Sequence, residues 1–242
     1  MTDTTQSARW RGQLLEAVLF DLDGTLLDTA ADIALALNRT LAEYGWSPAA
    51  KEDVRRMIGR GSPILIERTA RAQGRALHDA LQAAMVERFF HHYGALEETN
   101  EFEARPYPGA RDALQLLHEA GLRIAVVTNK QARFARALLA RLDLIAWVDL
   151  VVGGDSCERR KPDPQPLMFA CERLGVSTAR TIMVGDSVND VQAARGANIP
   201  VLCVPYGYNE GQDPRELPCD ALIGSLGELP GLLLQAADRD MP

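Results

Sequence analysis

Asp21-Leu22-Asp23-Gly24-Thr25 follows directly on the apolar run Ala17-Val18-Leu19-Phe20. A short β-branched and aromatic run that ends in two carboxylates and a glycine predicts a buried strand delivering acids to its C-terminal end. In open α/β sheets that end is where ligands bind. Asp21 and Asp23 are two apart, so on extended backbone their side chains share one face. Two carboxylates held together repel unless a proton or a cation sits between them. The stretch therefore points to a divalent metal, to acid/base chemistry, or to both.

Downstream the rhythm turns helical. Ile33, Leu37, Leu41 and Tyr44 recur at three- and four-residue steps, Ile64, Leu65, Arg68 and Thr69 do so more weakly, and Leu81, Met85, Phe89 and Phe90 do so again. Breaks at Gly45-Trp46-Ser47-Pro48, Gly59-Arg60-Gly61-Ser62-Pro63 and Gly74 divide this segment into four or five helices. After Arg105-Pro106-Tyr107-Pro108-Gly109 strands and helices alternate. Strands are expected over 122–128, 148–152, 181–184, 201–204 and 221–223, with helices over 131–142, 164–174, 188–197 and 226–236. Such alternation predicts a doubly wound, Rossmann-like parallel sheet with helices on both faces. The first strand lacks a nearby βαβ partner. The economical α/β architecture thus joins residues 1–28 and 105–242 into one core, with a small α-helical cap inserted over 29–104 and a flexible tail over 1–14.

The composition bounds the partners. With 242 residues, 47% of them apolar, and a net charge of -7, the chain can bury a substantial core but offers no clustered positive charge for nucleic acid or an anionic membrane surface. Cys157, Cys171, Cys203 and Cys219 form no Cys-x-x-Cys pair, as expected of reduced thiols in a cytoplasmic protein. The first residues lack the apolar segment of a signal peptide, and no apolar run approaches a membrane span. A small anionic substrate remains compatible, because a metal and a lysine can reverse the local field. The sequence leaves open whether the chain is a monomer or a small homo-oligomer.

Three further clusters fall at predicted strand ends or in the loops after them: Thr128-Asn129-Lys130, Lys161-Pro162-Asp163-Pro164 and Gly185-Asp186-Ser187-Val188-Asn189-Asp190. A parallel sheet brings these loops and Asp21-x-Asp23 to one edge. The assembly is what phosphoryl transfer to a carboxylate needs. Asp21 is the candidate nucleophile, and Asp23 the acid that protonates the leaving oxygen and then the base that activates water. Oxygen ligands in octahedral geometry favour Mg²⁺, held by Asp21, the main chain of Asp23, and Asp186, with Asp190 either a ligand or a residue holding one in place. Thr128, the Asn129 N–H and Lys161 are placed to neutralise the phosphoryl oxygens.

In this order the four motifs resemble those of the haloacid-dehalogenase superfamily, the aspartate-nucleophile phosphohydrolases. The helical insert is similar to that superfamily's small cap, and Thr25-Leu26-Leu27-Asp28-Thr29 resembles its hinge. Val151-Val152-Gly153-Gly154-Asp155, Tyr206-Gly207-Tyr208-Asn209 and Ile58-Gly59-Arg60-Gly61 resemble the bacterial phosphoglycolate phosphatases of that superfamily more narrowly. The resemblance implies a Mg²⁺-dependent phosphomonoesterase acting on a small phosphorylated metabolite, 2-phosphoglycolate above others. Phosphatases of other small esters and a sugar phosphomutase are the alternatives, and a non-enzymatic phospho-acceptor a remote one. Asn198 stands where relatives often place a helix-ending glycine, and Asn also tolerates that left-handed conformation. In the cap, Arg60 is the candidate to meet a substrate carboxylate, for which a planar guanidinium is suited. His91-His92 reads as solvated or packed rather than metal-binding.

Overall fold

A computed structural model describes residues 7–99 and 101–235. The central sheet is built from Ala17–Phe20 (β1), Arg123–Val127 (β2), Leu150–Val152 (β3), Thr181–Gly185 (β4), Val201–Cys203 (β5) and Ala221–Leu222 (β6). Every pairing is parallel, and the spatial order is β6-β5-β4-β1-β2-β3. All four residues of β1 are buried, as a strand covered on both faces must be. The strand order reverses at β1, so a crevice opens between the C-terminal ends of β1 and β4, the position where such sheets bind ligands.

Between β1 and β2 the chain leaves the sheet to form four helices: Ala30–Glu43 (α1), Lys51–Met57 (α2), Ser62–Ala72 (α3) and Asp79–Thr99 (α4). Their apolar stripes meet in a separate core that includes Ile33, Leu37, Leu41, Leu65, Met85, Phe89 and Tyr93. Phe134 and Tyr208, from outside the helical insert, join that core and seat it on the sheet domain. The two crossings between cap and sheet lie side by side, since Leu27–Asp28 pairs antiparallel with Arg105–Pro106. Buried Asp32 in the first turn of α1 fastens the return crossing by accepting the Glu103 and Ala104 N–H groups at 2.7 and 3.1 Å.

The core helices divide between the sheet's faces. Ala110–Glu119 (α5) and Ala132–Arg141 (α6) pack on the face carrying Val18, Phe20, Ile124 and Val126. Gln165–Leu174 (α7) and Val188–Gly196 (α8) cover Leu19, Ala125, Val127 and Met183 on the other. The alternation along each strand is the two-residue period of β structure. After α8, Asn198 takes the left-handed conformation with φ of 56°, the role for which Asn substitutes for glycine.

Two expectations at the chain ends are corrected. The flexible tail expected over 1–14 is instead ordered from residue 7: Ser7–Trp10 is a strand with Ala8 and Trp10 buried, turning back onto Gln13–Leu14. The helix expected over 226–236 is a 3₁₀ turn at Leu226–Glu228 and a short helix at Leu229–Leu233, followed by the strand Leu234–Gln235. That strand pairs with Ser7 and Ala8. Each segment is too short to announce itself by periodicity, and each satisfies the other's backbone groups. Residue 236 lies outside the described residues.

Candidate active site

The register of β1 against its neighbours places the four motifs. Phe20 lies opposite Val126 and Val184, and the Asp21 N–H donates to the Val184 carbonyl at 2.9 Å. The first acid is thereby fixed at the crevice. On one side of it the Thr128 N–H donates to Val152, ending the β2–β3 ladder, and on the other Asp186 follows β4.

Lys161 binds the motifs together. Its ammonium lies 2.8 Å from Asp21 Oδ1 and donates to Asp190 Oδ1 at 2.6 Å. Asp190 occupies the third position of α8, where its other oxygen accepts from the Asp186 and Ser187 N–H groups and the Ser187 hydroxyl. This capping box uses Asp190 to terminate a helix and to orient a lysine at once. Asp186 accepts from the Thr25 hydroxyl at 2.8 Å and from the Tyr208 N–H. Gly24, with φ of 93°, is required here because a Cβ would overlap the Asp186 carboxylate.

Oxygens of Asp21, Asp186 and Asp190 lie within 4.8 Å of one another, a group able to hold a metal ion. The electrostatics favour one. Burial, opposed by Lys161 and assisted by Asp190 and Asp23, pushes Asp21 up to about 7. Burial, with Asp190 and Asp21 as neighbours, raises Asp186 well above the ordinary carboxylate range. Three carboxylates against one ammonium leave excess negative charge, which a divalent cation would offset. Asp190 Oδ2 already takes three donors and its Oδ1 the Lys161 ammonium, whereas each Asp186 oxygen takes a single donor and Asp21, among the described residues, is engaged through Oδ1 alone, so the donor set fits a hard cation held chiefly by Asp21 and Asp186.

Asp23 faces elsewhere. Its carboxylate takes the Lys130 ammonium at 2.9 and 3.1 Å and the Thr29 hydroxyl at 2.6 Å. Asp21, Asp23, Thr128, Asn129 and Lys130 line a partly open cavity of about 70 Å³, roofed by Ile58, Gly59, Gly61, Leu65, Phe89, Tyr93 and Phe134. Asn129 fastens this roof: its amide donates to Gly59 of the cap at 2.8 Å and to the Lys161 carbonyl at 2.9 Å. The structure does not bring Arg60 to the group. Its guanidinium pairs with Glu210 at 3.1 Å, is 41% exposed and does not line the cavity. Arg68 shares the same carboxylate at 2.8 Å.

Sequence reasoning missed the Asn129 side chain as a clasp and Lys130 as the partner of Asp23, although both stand in Thr128-Asn129-Lys130. A polar side chain at a strand end names no partner until the cap is folded over it. Tyr208 was also missed. Its hydroxyl accepts the Thr29 and Ala30 N–H groups at 2.8 and 3.0 Å and donates to Asp28 at 2.6 Å, so it caps α1 at the hinge while its own N–H holds Asp186.

The haloacid dehalogenase-like hydrolase family model matches residues 18–204. The chain belongs to that family. Within it, the chain is 44% identical over 227 residues to a phosphoglycolate phosphatase of Nitrosospira multiformis, covering 92% of this chain and 97% of the relative. It is 42% identical to one of Thiobacillus denitrificans, covering 88% and 93%. Among solved structures, a predicted phosphoglycolate phosphatase of Haemophilus somnus superposes with a TM-score of 0.83 at 27% identity, covering 90% of this chain and 97% of that one. CbbY of Rhodobacter sphaeroides, solved with phosphate, gives 0.76 at 28% identity, covering 89% and 96%. The six-stranded parallel sheet, the helical insert and the acid cluster of this hydrolase are thus those of a dehalogenase-like fold with a cap.

Proposed function

We propose that this hydrolase is a Mg²⁺-dependent phosphomonoesterase that cleaves 2-phosphoglycolate to glycolate and inorganic phosphate. The observation that carries the reading is Asp21, set between a buried ammonium and a buried acid cluster at one wall of a cavity of about 70 Å³. A space of that size suits a few-carbon ester, far below the usual volume of pockets for larger ligands. The sequence relatives named phosphoglycolate phosphatase support the particular ester.

In this reading an Asp21 oxygen attacks phosphorus, the P–O ester bond breaks, and Asp23 gives its proton to the leaving oxygen. Asp23 then takes a proton from water as that water attacks phosphorus, the Asp21–phosphorus bond breaks, and inorganic phosphate leaves. Lys161, the Thr128 hydroxyl and the Asn129 N–H offset charge on the phosphoryl oxygens. Asp21, the Asp23 carbonyl and Asp186 would hold Mg²⁺, which when bound supplies charge neutralisation at the phosphoryl group. Asp190 orients Lys161. The apolar roof excludes water that would compete for the phosphoryl group.

The test compares kcat/KM for 2-phosphoglycolate with that for sugar phosphates, nucleotides and pyrophosphate, measuring released phosphate. The expected result is stoichiometric phosphate release with 2-phosphoglycolate preferred. Return of the phosphoryl group to a sugar phosphate without release would establish a mutase instead.

A further inference from the structure

If the substrate is 2-phosphoglycolate, on which this inference rests, its carboxylate needs a cationic receptor beside the leaving oxygen. Lys130 and Arg160 are the cationic side chains lining the cavity, and they differ in setting. Arg160 is an exposed residue whose guanidinium donates to the Gly154 carbonyl. The Lys130 side chain is only 8% exposed, and it sits on Asp23, the acid assigned to the leaving oxygen.

The chemistry of the ester makes that adjacency specific. In a phosphorylated 2-hydroxy acid the carboxyl carbon is bonded to the carbon that carries the ester oxygen. A group within hydrogen-bond reach of the acid that touches this oxygen is therefore also within reach of the carboxylate. An ammonium has three donors. Asp23 oxygens engage Lys130 at 2.9 and 3.1 Å, and the rest of the ammonium faces the Tyr93 side of the cavity.

A second observation comes from the cap. Tyr93 on α4 lines the same cavity, its ring centroid 4.7 Å from the Lys130 nitrogen. Among the described residues no acceptor takes the proton of the buried Tyr93 hydroxyl, which lies beside the Lys130 ammonium, and the residue is 2% exposed. Buried hydroxyls are ordinarily satisfied, and a donor without an acceptor beside a buried ammonium is what an anion-binding pair looks like before its ligand arrives. Pairing with Asp23 alone accounts for the lysine but not for the hydroxyl.

We propose that Lys130 and Tyr93 together form the receptor for a carboxylate on the carbon next to the ester oxygen, and so set the preference for phosphorylated 2-hydroxy acids. One partner comes from the core and the other from the cap, so the receptor is complete only when the cap is closed.

The experiment measures kcat and KM for 2-phosphoglycolate and for 2-hydroxyethyl phosphate, in which a neutral hydroxymethyl replaces the carboxylate. The ratio of kcat/KM values is compared in wild type, Lys130→Met, Tyr93→Phe and Arg160→Ala. A hydrogen bond to a charged group corresponds to roughly a 10- to 100-fold effect. The expected ratio falls about tenfold in Tyr93→Phe, mainly through KM for the carboxylated ester, and about 100-fold in Lys130→Met. Should Lys130→Met be too slow to assay, calorimetric affinities of both esters in an Asp21→Asn background give the same comparison. A wild-type preference that survives both substitutions, or falls only in Arg160→Ala, overturns the assignment. Failure of the substrate reading is distinguishable, because it appears in the wild-type protein as no preference for 2-phosphoglycolate.

Discussion

Asp190 Oδ1 accepts a hydrogen bond from Lys161 Nζ at 2.6 Å, with the two side chains 1% and 2% exposed. Burial of such a pair is costly unless both members are fully hydrogen-bonded, and here the helix cap completes Asp190 while Asp21 completes Lys161. Asp190→Asn should therefore destabilise the fold by on the order of 3 kcal/mol and lower kcat, because it leaves a buried ammonium short of a partner. Asp186→Asn should behave differently, keeping metal-free stability but losing any rise in Tm with Mg²⁺. Denaturant titration with and without Mg²⁺ separates the two. Equal behaviour of both variants would remove the distinction between an orienting acid and a metal-holding one.

Asp21→Asn should abolish turnover, by at least about a thousandfold in kcat, since an amide oxygen cannot serve as the nucleophile. The backbone position is unchanged and the charge repulsion is reduced, so Tm should not fall. Near-normal phosphate release from this variant would sink the mechanism.

Acidity and metal binding are linked through the same cluster. Asp21 and Asp186 titrate above the unfolded carboxyl value of roughly 3.9. Between that value and about 7 the native state of the metal-free protein holds more protons than the unfolded chain at Asp21. The contribution of these acids to stability is thus present at low pH and is lost as pH rises through the folded values. Mg²⁺ needs the ionised form, so its stabilisation should grow over the same window. At one hundred times its Kd a ligand adds about 2.7 kcal/mol, or roughly 5–10 °C in a chain of this size. Thermal melts at pH 5 and pH 8 should show the larger Mg²⁺ gain at pH 8. A pH-independent gain would refute the linkage.

Tyr208→Phe should loosen the hinge. Without the hydroxyl, the Thr29 N–H loses its partner at the start of α1, where the Tyr208 hydroxyl also serves Ala30. An unsatisfied buried donor costs about 1–3 kcal/mol. Amide exchange at the first turn of α1 should accelerate, and unchanged protection there would argue against the cap role.

Arg60→Ala should shift kcat/KM for 2-phosphoglycolate by less than about twofold, as expected for an exposed ion pair. The guanidinium is held by Glu210 outside the cavity. A selective loss of carboxylated substrates in this variant would restore Arg60 as the carboxylate-binding residue.

Several features were legible before folding because they are local. The buried run of β1, the strand–helix alternation after residue 105 and the helical period of Ile33, Leu37 and Leu41 depend on neighbours in the chain, and each reappears in the structure. The acids Asp21 and Asp186 were also readable, since strand ends in a parallel sheet must meet at one edge.

The amino-acid order by itself determined the sheet, the cap insertion and the Asp21-x-Asp23 pair together with its need for a countercharge. Tertiary structure alone decided how each charge is answered. Lys161 goes to Asp21 and Asp190, Lys130 goes to Asp23, Arg60 goes to Glu210, and the ends of the chain pair as strands. Hydrophobic periodicity records which face of an element is buried. A flexible lysine or arginine records only that it carries charge, and which anion it meets depends on distances between segments far apart in sequence.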